Sequence, residues 1–424
     1  MIDLVKIRQS EIYMSLLNLN QINVPISGSI SKVSRVIASF YFMSMVQPET
    51  FSQWASIVLI LQYSIFLQLG VPFSMTREIS IAIGQNAQDK NVLIARTAII
   101  NFLFASVILY ILLIISDYEA LLSLTFWYVT ISHLSALFIA QARSQFKNLN
   151  VVAAFITESL IILVGIFFYF NVDNPIESFI QILSLAALAT CFVCFPSKDI
   201  LSKIKISLIN IYKTELSLIR LGIPLLLFSF MLLFKDTWDL IAIQYLSPSS
   251  YNTYSSVFIF GNGVRIFGAL VAMLFLPIMA RQFGASGSVQ SQALLKDFKM
   301  YRLYIGYVFI LCLLFFYPLL NFLTEYILEE YKHLIDIIYF RTTAIFLGLN
   351  ALPYLHLFNT IRKSRISILI ILFSTVSSML SAFIISNFLA MEIVFTISHL
   401  ITSIMILILC RYYLNNLLKE KIIS

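Results

Sequence analysis

Residues 45–60 read MVQPETFSQWASIVLI and residues 245–260 read YLSPSSYNTYSSVFIF, and the two lie on each other without a gap. Pro48 meets Pro248, Phe51 meets Tyr251, Trp54 meets Tyr254 and Ser56 meets Ser256. Each stretch is a short polar break with Pro at its centre, running into an apolar segment, which reads as a tight turn between two membrane-crossing helices. Further on, Pro72 with Arg77 resembles Pro277 with Arg281 at the exit of the following helix. One such turn near the start of each half of the chain points to an internal duplication. With six spans per half the chain returns to the same side, so the halves are parallel repeats about an axis normal to the membrane, around a central cavity.

Composition supports the membrane reading. The 424 residues are 60% hydrophobic, with 37 Phe and only 12% charged, and the mean hydropathy is +0.91. The class is an all-α integral membrane protein. Apolar windows place helices near residues 24–46, 51–71, 92–115, 119–142, 151–171 and 177–196, then 219–246, 252–280, 300–324, 334–358, 366–387 and 390–411. Each of these twelve can cross about 30 Å of hydrocarbon at ~1.5 Å per residue. The expected division is an N-terminal six-helix lobe, 1–200, a cytoplasmic linker, 201–214, and a C-terminal six-helix lobe, 215–424. The first 20 residues lack a compact apolar core with a small-residue cleavage site, and read as a retained amphipathic lead-in.

Charge fixes the expected orientation. Alternate loops carry Lys6 and Arg8, Arg77 and Lys90, Arg143 and Lys147, the group Lys198 to Lys213, then Arg281 to Arg302, Arg362 to Arg365, and Arg411 to Lys421. The opposite loops hold Lys332 among Glu49, Asp117, Glu119, Asp173, Glu177, Glu325, Glu329, Glu330 and Glu392. By the positive-inside rule both termini are cytoplasmic. The net charge of +7 therefore marks one side of a membrane rather than a nucleic-acid partner. Cys191 and Cys194 form a CxxC inside an apolar run, but no second pair or nearby His supports a metal site. No GxxxxGK[ST] loop occurs, so neither ATP hydrolysis nor a cofactor is expected.

Charges inside the spans are the candidate functional residues, since each costs about 2.5–3.5 kcal/mol at mid-bilayer and must face a partner or water. The run SFMLLFKDTWDLIAIQYL, residues 229–246, carries Lys235, Asp236 and Asp239 on one helical face. Arg265 lies on the next, antiparallel helix, so these four are expected to form a neutral network that includes an Asp239–Arg265 pair. Two roles stand open for it: fixing two helices together, or lining the cavity and handling substrate or ions. Lys32 and Arg35 make a basic stripe in the first helix, suited to phosphate oxygens or to snorkelling. Arg341 is expected either to guide an anionic group or to pair with Asp336. Glu158 is the isolated candidate for carrying a proton, along with Asp239; its alternative is an ion pair with Lys147 or Lys32. His133 and His356 read as hydrogen-bonded core residues. No single aromatic stands out, and Tyr41, Tyr251, Tyr254 and Trp238 are the first to test for a stacking role in a cavity.

The stretch RVIASFYFMSMVQPETFSQWASIVLILQYSIFLQLGVPFSMTREIS, Arg35 to Ser80, resembles the opening of the polysaccharide-transport branch of the multidrug/oligosaccharidyl-lipid/polysaccharide exporter superfamily. The shared features are the Arg of the first helix, the outer turn with Pro, an acid and an aromatic, the Leu69–Gly70 step and the exit Arg77. LGIPLLLFSFMLLFKDTWDLIAIQYLSPSSYNTYSSV is similar to that family's seventh helix, with Gly222 to Pro224 at its start and Asp239 before the outer turn. At Gln53 and Trp54 the chain departs from the Gly often found before the aromatic. The resemblance implies a flippase in the bacterial cytoplasmic (inner) membrane. Its cargo would be a lipid-linked oligosaccharide with an anionic pyrophosphate, such as an undecaprenyl-pyrophosphate O-antigen repeat. Its other partners would be membrane lipids and a polysaccharide polymerase.

The nearest alternative is a drug or cation exporter of the same superfamily, which calls for acids to dominate the cavity where Arg35, Arg265 and Arg341 stand here. A twelve-span facilitator of the major type expects a Gly-rich signature between its second and third spans, and Thr76 to Lys90, TREISIAIGQNAQDK, lacks it. A membrane-embedded polymerase or acyltransferase expects a large external loop or a His-acid motif, and neither is evident.

Overall fold

The computed structural model describes residues 2–84, 88–115, 122–145, 147–196, 208–286, 291–326, 329–361, 363–387 and 389–419. Among these the chain is helical throughout. The helices are α1 (Ile2–Met45), α2 (Pro48–Ser64), α3 (Val71–Gly84), α4 (Gln88–Ile115), α5 (Leu122–Ser144), α6 (Asn148–Phe168) and α7 (Pro175–Val193). The second series is α8 (Leu208–Leu246), α9 (Pro248–Ser286), α10 (Gln292–Tyr326), α11 (Ile335–Leu349), α12 (Leu352–Thr360), α13 (Ser364–Ile385) and α14 (Met391–Lys419). Taking α2 with α3, and α11 with α12, as broken spans gives the twelve passes read from hydropathy. Nine described segments are long and apolar enough to cross a membrane on those grounds alone; α1, α9 and α10 complete the set, and the first of these is the span whose Ser, Lys and Arg content dilutes its hydropathy.

The repeated turns are real helix boundaries. α1 ends at Met45 and α2 opens at Pro48; α8 ends at Leu246 and α9 opens at Pro248. Proline suits this first position because its missing N–H has no intrahelical acceptor there. Glu49 adds a negative charge to the positive end of α2. Most expected helix limits lie within a few residues of those observed, but α1, α8 and α10 begin well before the expected residues 24, 219 and 300, at Ile2, Leu208 and Gln292, and α14 runs on to Lys419. Two expected spans also break internally. The span placed at 51–71 breaks after a single 3-10 turn, Ile65–Gln68, where Leu69 and Gly70 take φ of 50° and 80°. The span placed at 334–358 breaks at Asn350 and Ala351, with Pro353 in the first turn of α12.

The chain falls into two compact units: residues 1–38 with 63–223, and residues 39–62 with 224–424. The second unit thus takes the end of α1 and most of α2. The described part of the expected 201–214 linker belongs to α8, which is already helical at Leu208.

In the first unit, cores form around Met75, Ala98 and Phe102 and around Phe138, Val151 and Ala154. Gly70 and Gly222 meet there backbone to backbone: a Cβ on Gly70 would stand 2.7 Å from the Gly222 carbonyl carbon. That contact gives a physical reason for two of the glycines singled out in the sequence. Gly222→Val is expected to destabilise the protein by about 2–3 kcal/mol or more, read as a lowered thermal midpoint in detergent. Gly306→Ala, where nothing lies within 4 Å, is expected to leave the midpoint unchanged or raised.

The second unit packs around Val264, Phe346, Leu355 and Phe358. In it Tyr251 of α9 hydrogen-bonds Ser56 of α2 at 2.7 Å, so residues of the two duplicated stretches touch. Polarity is distributed as a bilayer demands. Leu103, Phe104, Val107, Ile111 and Ile115 of α4 are exposed, while Thr342, Ser374, Thr375 and Ser378 are buried. Thr342 turns back onto its own helix, to the Ile338 carbonyl at 2.8 Å, as does Thr375 to that of Ile371 at 2.8 Å, whereas Ser378 of α13 donates to the Ser398 carbonyl of α14 at 2.8 Å. Such bonds satisfy hydroxyls where no water is present.

Candidate functional site

The second unit holds a two-part charged cluster, and helix register decides its pairing. Asp239 stands seven residues before the end of α8, Tyr254 six after the start of α9, Arg341 six after the start of α11, and His399 eight after the start of α14. At ~1.5 Å per residue all four lie in one layer about 9–12 Å from their helix ends. They meet there. Arg341 forms an ion pair with Asp239, whose second oxygen it reaches at 3.3 Å. It also donates to the Tyr254 hydroxyl at 3.0 Å and to the Asp236 carbonyl at 3.0 Å. Tyr254 in turn donates to Asp239 at 2.5 Å. Asp239, Tyr254 and Arg341 are all 0% exposed.

His399 was not singled out in the sequence. Its Nε2 lies 3.1 Å from Asp239 Oδ1, off hydrogen-bonding alignment, and its ring stacks on Trp238 at 6.2 Å. Gly261 admits this layer, since any Cβ there would sit 2.6 Å from the Ile345 side chain and 3.9 Å from that of Arg341.

One to two turns deeper, Lys235 pairs with Asp236, and Arg265 reaches the same carboxylate at 3.2 Å and the Asp236 carbonyl at 3.0 Å. The Asp236 and Arg265 side chains remain 17% and 20% exposed. Two expectations are corrected. Asp239 does not pair with Arg265: α8 and α9 form a hairpin closing at Leu246–Pro248, and Arg265 is too far along α9 to stand opposite Asp239, so it meets Asp236. Arg341 takes Asp239 rather than Asp336, because Asp336 sits at the very start of α11, above this layer. With Arg341 included the cluster is no longer neutral: three cations face two carboxylates.

In the first unit the same register argument joins Arg35 to Glu158, each ten residues from the end of its helix. Arg35 Nε donates to Glu158 Oε1 at 2.6 Å, and Ser31 donates to Oε2 at 2.8 Å. Glu158 is therefore not isolated, and its ion pair is with Arg35 instead of Lys147 or Lys32. The Arg35 side chain stays 33% exposed, against 5% for Glu158. Lys32 is half-buried one turn away. His133 bonds Ser64 at 2.7 Å, and His356 bonds Tyr301 at 2.9 Å. Of the four aromatics, Tyr254 and Trp238 join the buried layer, while Tyr251 serves the contact to α2. Cys191 and Cys194 are free and buried, their thiols directed at the carbonyls of Ile131 and Asn150. Among the described residues no His, Cys, Asp and Glu side chains cluster as a metal site would require.

No protein-family profile and no curated protein matches the chain. Solved structures do. A multidrug resistance MATE family transporter of the MOP superfamily, in an inward-facing conformation, superposes with a TM-score of 0.67 at 16% identity, over 95% of this chain and 99% of that one. A Vibrio cholerae MATE transporter gives 0.67 at 13% identity, over 95% and 98%. An outward-facing multidrug resistance MATE transporter gives 0.62 at 15%, over 94% and 96%. The chain is a multi-pass membrane protein with the twelve-helix, two-half fold of these transporters.

Proposed function

We propose that the protein is a transporter, not an enzyme, that works by alternating access and moves an anionic lipid-linked oligosaccharide from the cytoplasmic to the periplasmic leaflet of a bacterial inner membrane, with both termini cytoplasmic. Support for the transport mode comes from the fold, which proteins solved in inward-facing and outward-facing conformations share. The cargo reading is carried by one observation: the partly exposed edge of the second-unit cluster is Arg265 with Asp236, and because the buried Lys235 shares that same carboxylate the surplus charge at this edge is positive. Such an edge favours the pyrophosphate of the cargo over a cationic drug. Arg35, a third of whose side chain is exposed, offers a second guanidinium. Asp239 and Glu158, the proposed ion-coupling carboxylates, are both held by arginine, so coupling requires a cation to displace a guanidinium. A polysaccharide polymerase is the expected downstream partner.

Export of drugs is the second reading, and the names of the solved neighbours favour it. Deletion of the gene distinguishes the two. The flippase reading expects lipid-linked repeat units to accumulate on the cytoplasmic leaflet with drug susceptibility unchanged. Increased drug susceptibility without such accumulation supports the exporter, and unpolymerised units accumulating on the outer side would point to a polymerase instead.

A further inference from the structure

A cavity of about 260 Å³ is lined by Lys299, Arg302 and Leu303 of α10, Asn350 and Tyr354 at the α11–α12 break, and Leu407 and Arg411 of α14, none of them a member of either charged cluster. None of its lining residues is acidic. Among the described residues, Lys299, Arg302 and Arg411 form no ion pair. Arg302 is nonetheless held in place, its guanidinium 5.0 Å from the centre of the Tyr354 ring and 5.7 Å from that of Phe298. This stacking leaves the edge of the guanidinium, with its N–H groups, available to an anion.

The cavity's depth and surroundings narrow the ligand. Lys299, Arg302 and Arg411 coincide with the limits at which hydropathy ends the spans, near residues 300 and 411, on the side that the charge distribution assigns to the cytoplasm. Beyond the cationic mouth, α10 presents Tyr307, Ile310, Leu311 and Leu314, and α14 presents Ile408 and Ile404, all exposed. A phosphate in the cavity would therefore have apolar surface directly beneath it for acyl chains.

From this juxtaposition we propose that the cavity binds the phosphate headgroup of an anionic membrane lipid, with Lys299, Arg302 and Arg411 as its ligands. Basic pockets between transmembrane helices are suited to such headgroups because charge attraction acts together with acyl-chain contact. Inorganic phosphate offers the same oxygens without the chains.

Native mass spectrometry of the purified full chain tests this with phosphatidylglycerol, phosphatidylethanolamine and inorganic phosphate. The expected result is a retained phosphatidylglycerol adduct with at least tenfold preference over phosphatidylethanolamine, and no adduct with inorganic phosphate at equal concentration. Arg411→Gln and Lys299→Gln, which disturb no packing of Arg302, are expected to weaken phosphatidylglycerol binding at least fivefold each. Arg302→Lys keeps the charge but loses the fork, and is expected to bind at an intermediate level. The thermal midpoint of each variant without lipid separates misfolding from lost binding. Equal binding of phosphatidylglycerol by all folded variants would overturn the site, and binding of inorganic phosphate as tight as that of the lipid would overturn the lipid assignment.

Discussion

Arg341→Met is expected to destabilise the protein by about 3–5 kcal/mol, because it leaves the Asp239 carboxylate buried without a counter-charge. Asp239→Asn is expected to be similarly damaging from the other side, since the Arg341 guanidinium then stays enclosed among Tyr254, the Asp236 carbonyl and a neutral amide. The informative variant is the double one. With Arg341→Met and Asp239→Asn together no charge remains in the layer, and most of the loss should return, as replacing both members of a buried pair is often close to neutral. Thermal unfolding of the four proteins in one detergent measures the coupling. A double variant as unstable as the sum of the singles would argue that the two residues act independently. Reversing Asp239 to Lys with Arg265 to Glu is expected to give no rescue, since Arg265 serves Asp236.

Much of the fold was legible in the sequence because a bilayer simplifies the problem. Length and hydropathy mark spans, and Pro48 and Pro248 mark two helix starts. What hydropathy passes over is a break that occurs inside an apolar run. Leu69 and Gly70 interrupt one span through two residues with positive φ, signalled within the apolar run only by Gly70 and by Pro72 in the first turn of α3. The charged residues were legible as a set, whereas their partners were not. Proximity in sequence suggested Arg265 for Asp239 and Asp336 for Arg341, but the relevant variable is depth along each helix. Counting residues from the helix ends puts Asp239, Tyr254, Arg341 and His399 in one layer, and Arg35 beside Glu158. The ends read from hydropathy at 246, 252, 334 and 390 lie within four residues of those observed, so what the sequence lacks is not the depth but which helices pack against one another. His399, in an apolar stretch with no other charge nearby, carried no signal of its own; it gains meaning only from the depth it shares with Asp239.

The layer beneath is where cargo chemistry can be separated from packing. Arg265→Gln removes one cation from the Lys235–Asp236–Arg265 group and leaves Asp236 still paired with Lys235, so no buried charge is orphaned. The two side chains are mostly buried, 20% and 17% exposed, but with Asp236 still paired the fold is expected to lose only about 1–2 kcal/mol, the scale of a lost hydrogen bond rather than of an orphaned buried charge. Transport is expected to fall much further if the guanidinium meets a phosphate. A charge-assisted hydrogen bond contributes about 1.5–3 kcal/mol, which is roughly a 10- to 150-fold loss. Arg265→Lys, with the charge kept and the fork gone, belongs in between. Restoration of surface polysaccharide in a strain lacking the chromosomal copy gives the readout, with the thermal midpoint as the control on folding. A cationic drug reverses the sign: removing Arg265 relieves repulsion, so resistance would hold or rise. An Arg265→Gln protein that folds, supports full polysaccharide export and confers undiminished drug resistance would show that this arginine only braces Asp236, and the case for an anionic cargo would then rest on Arg35 alone.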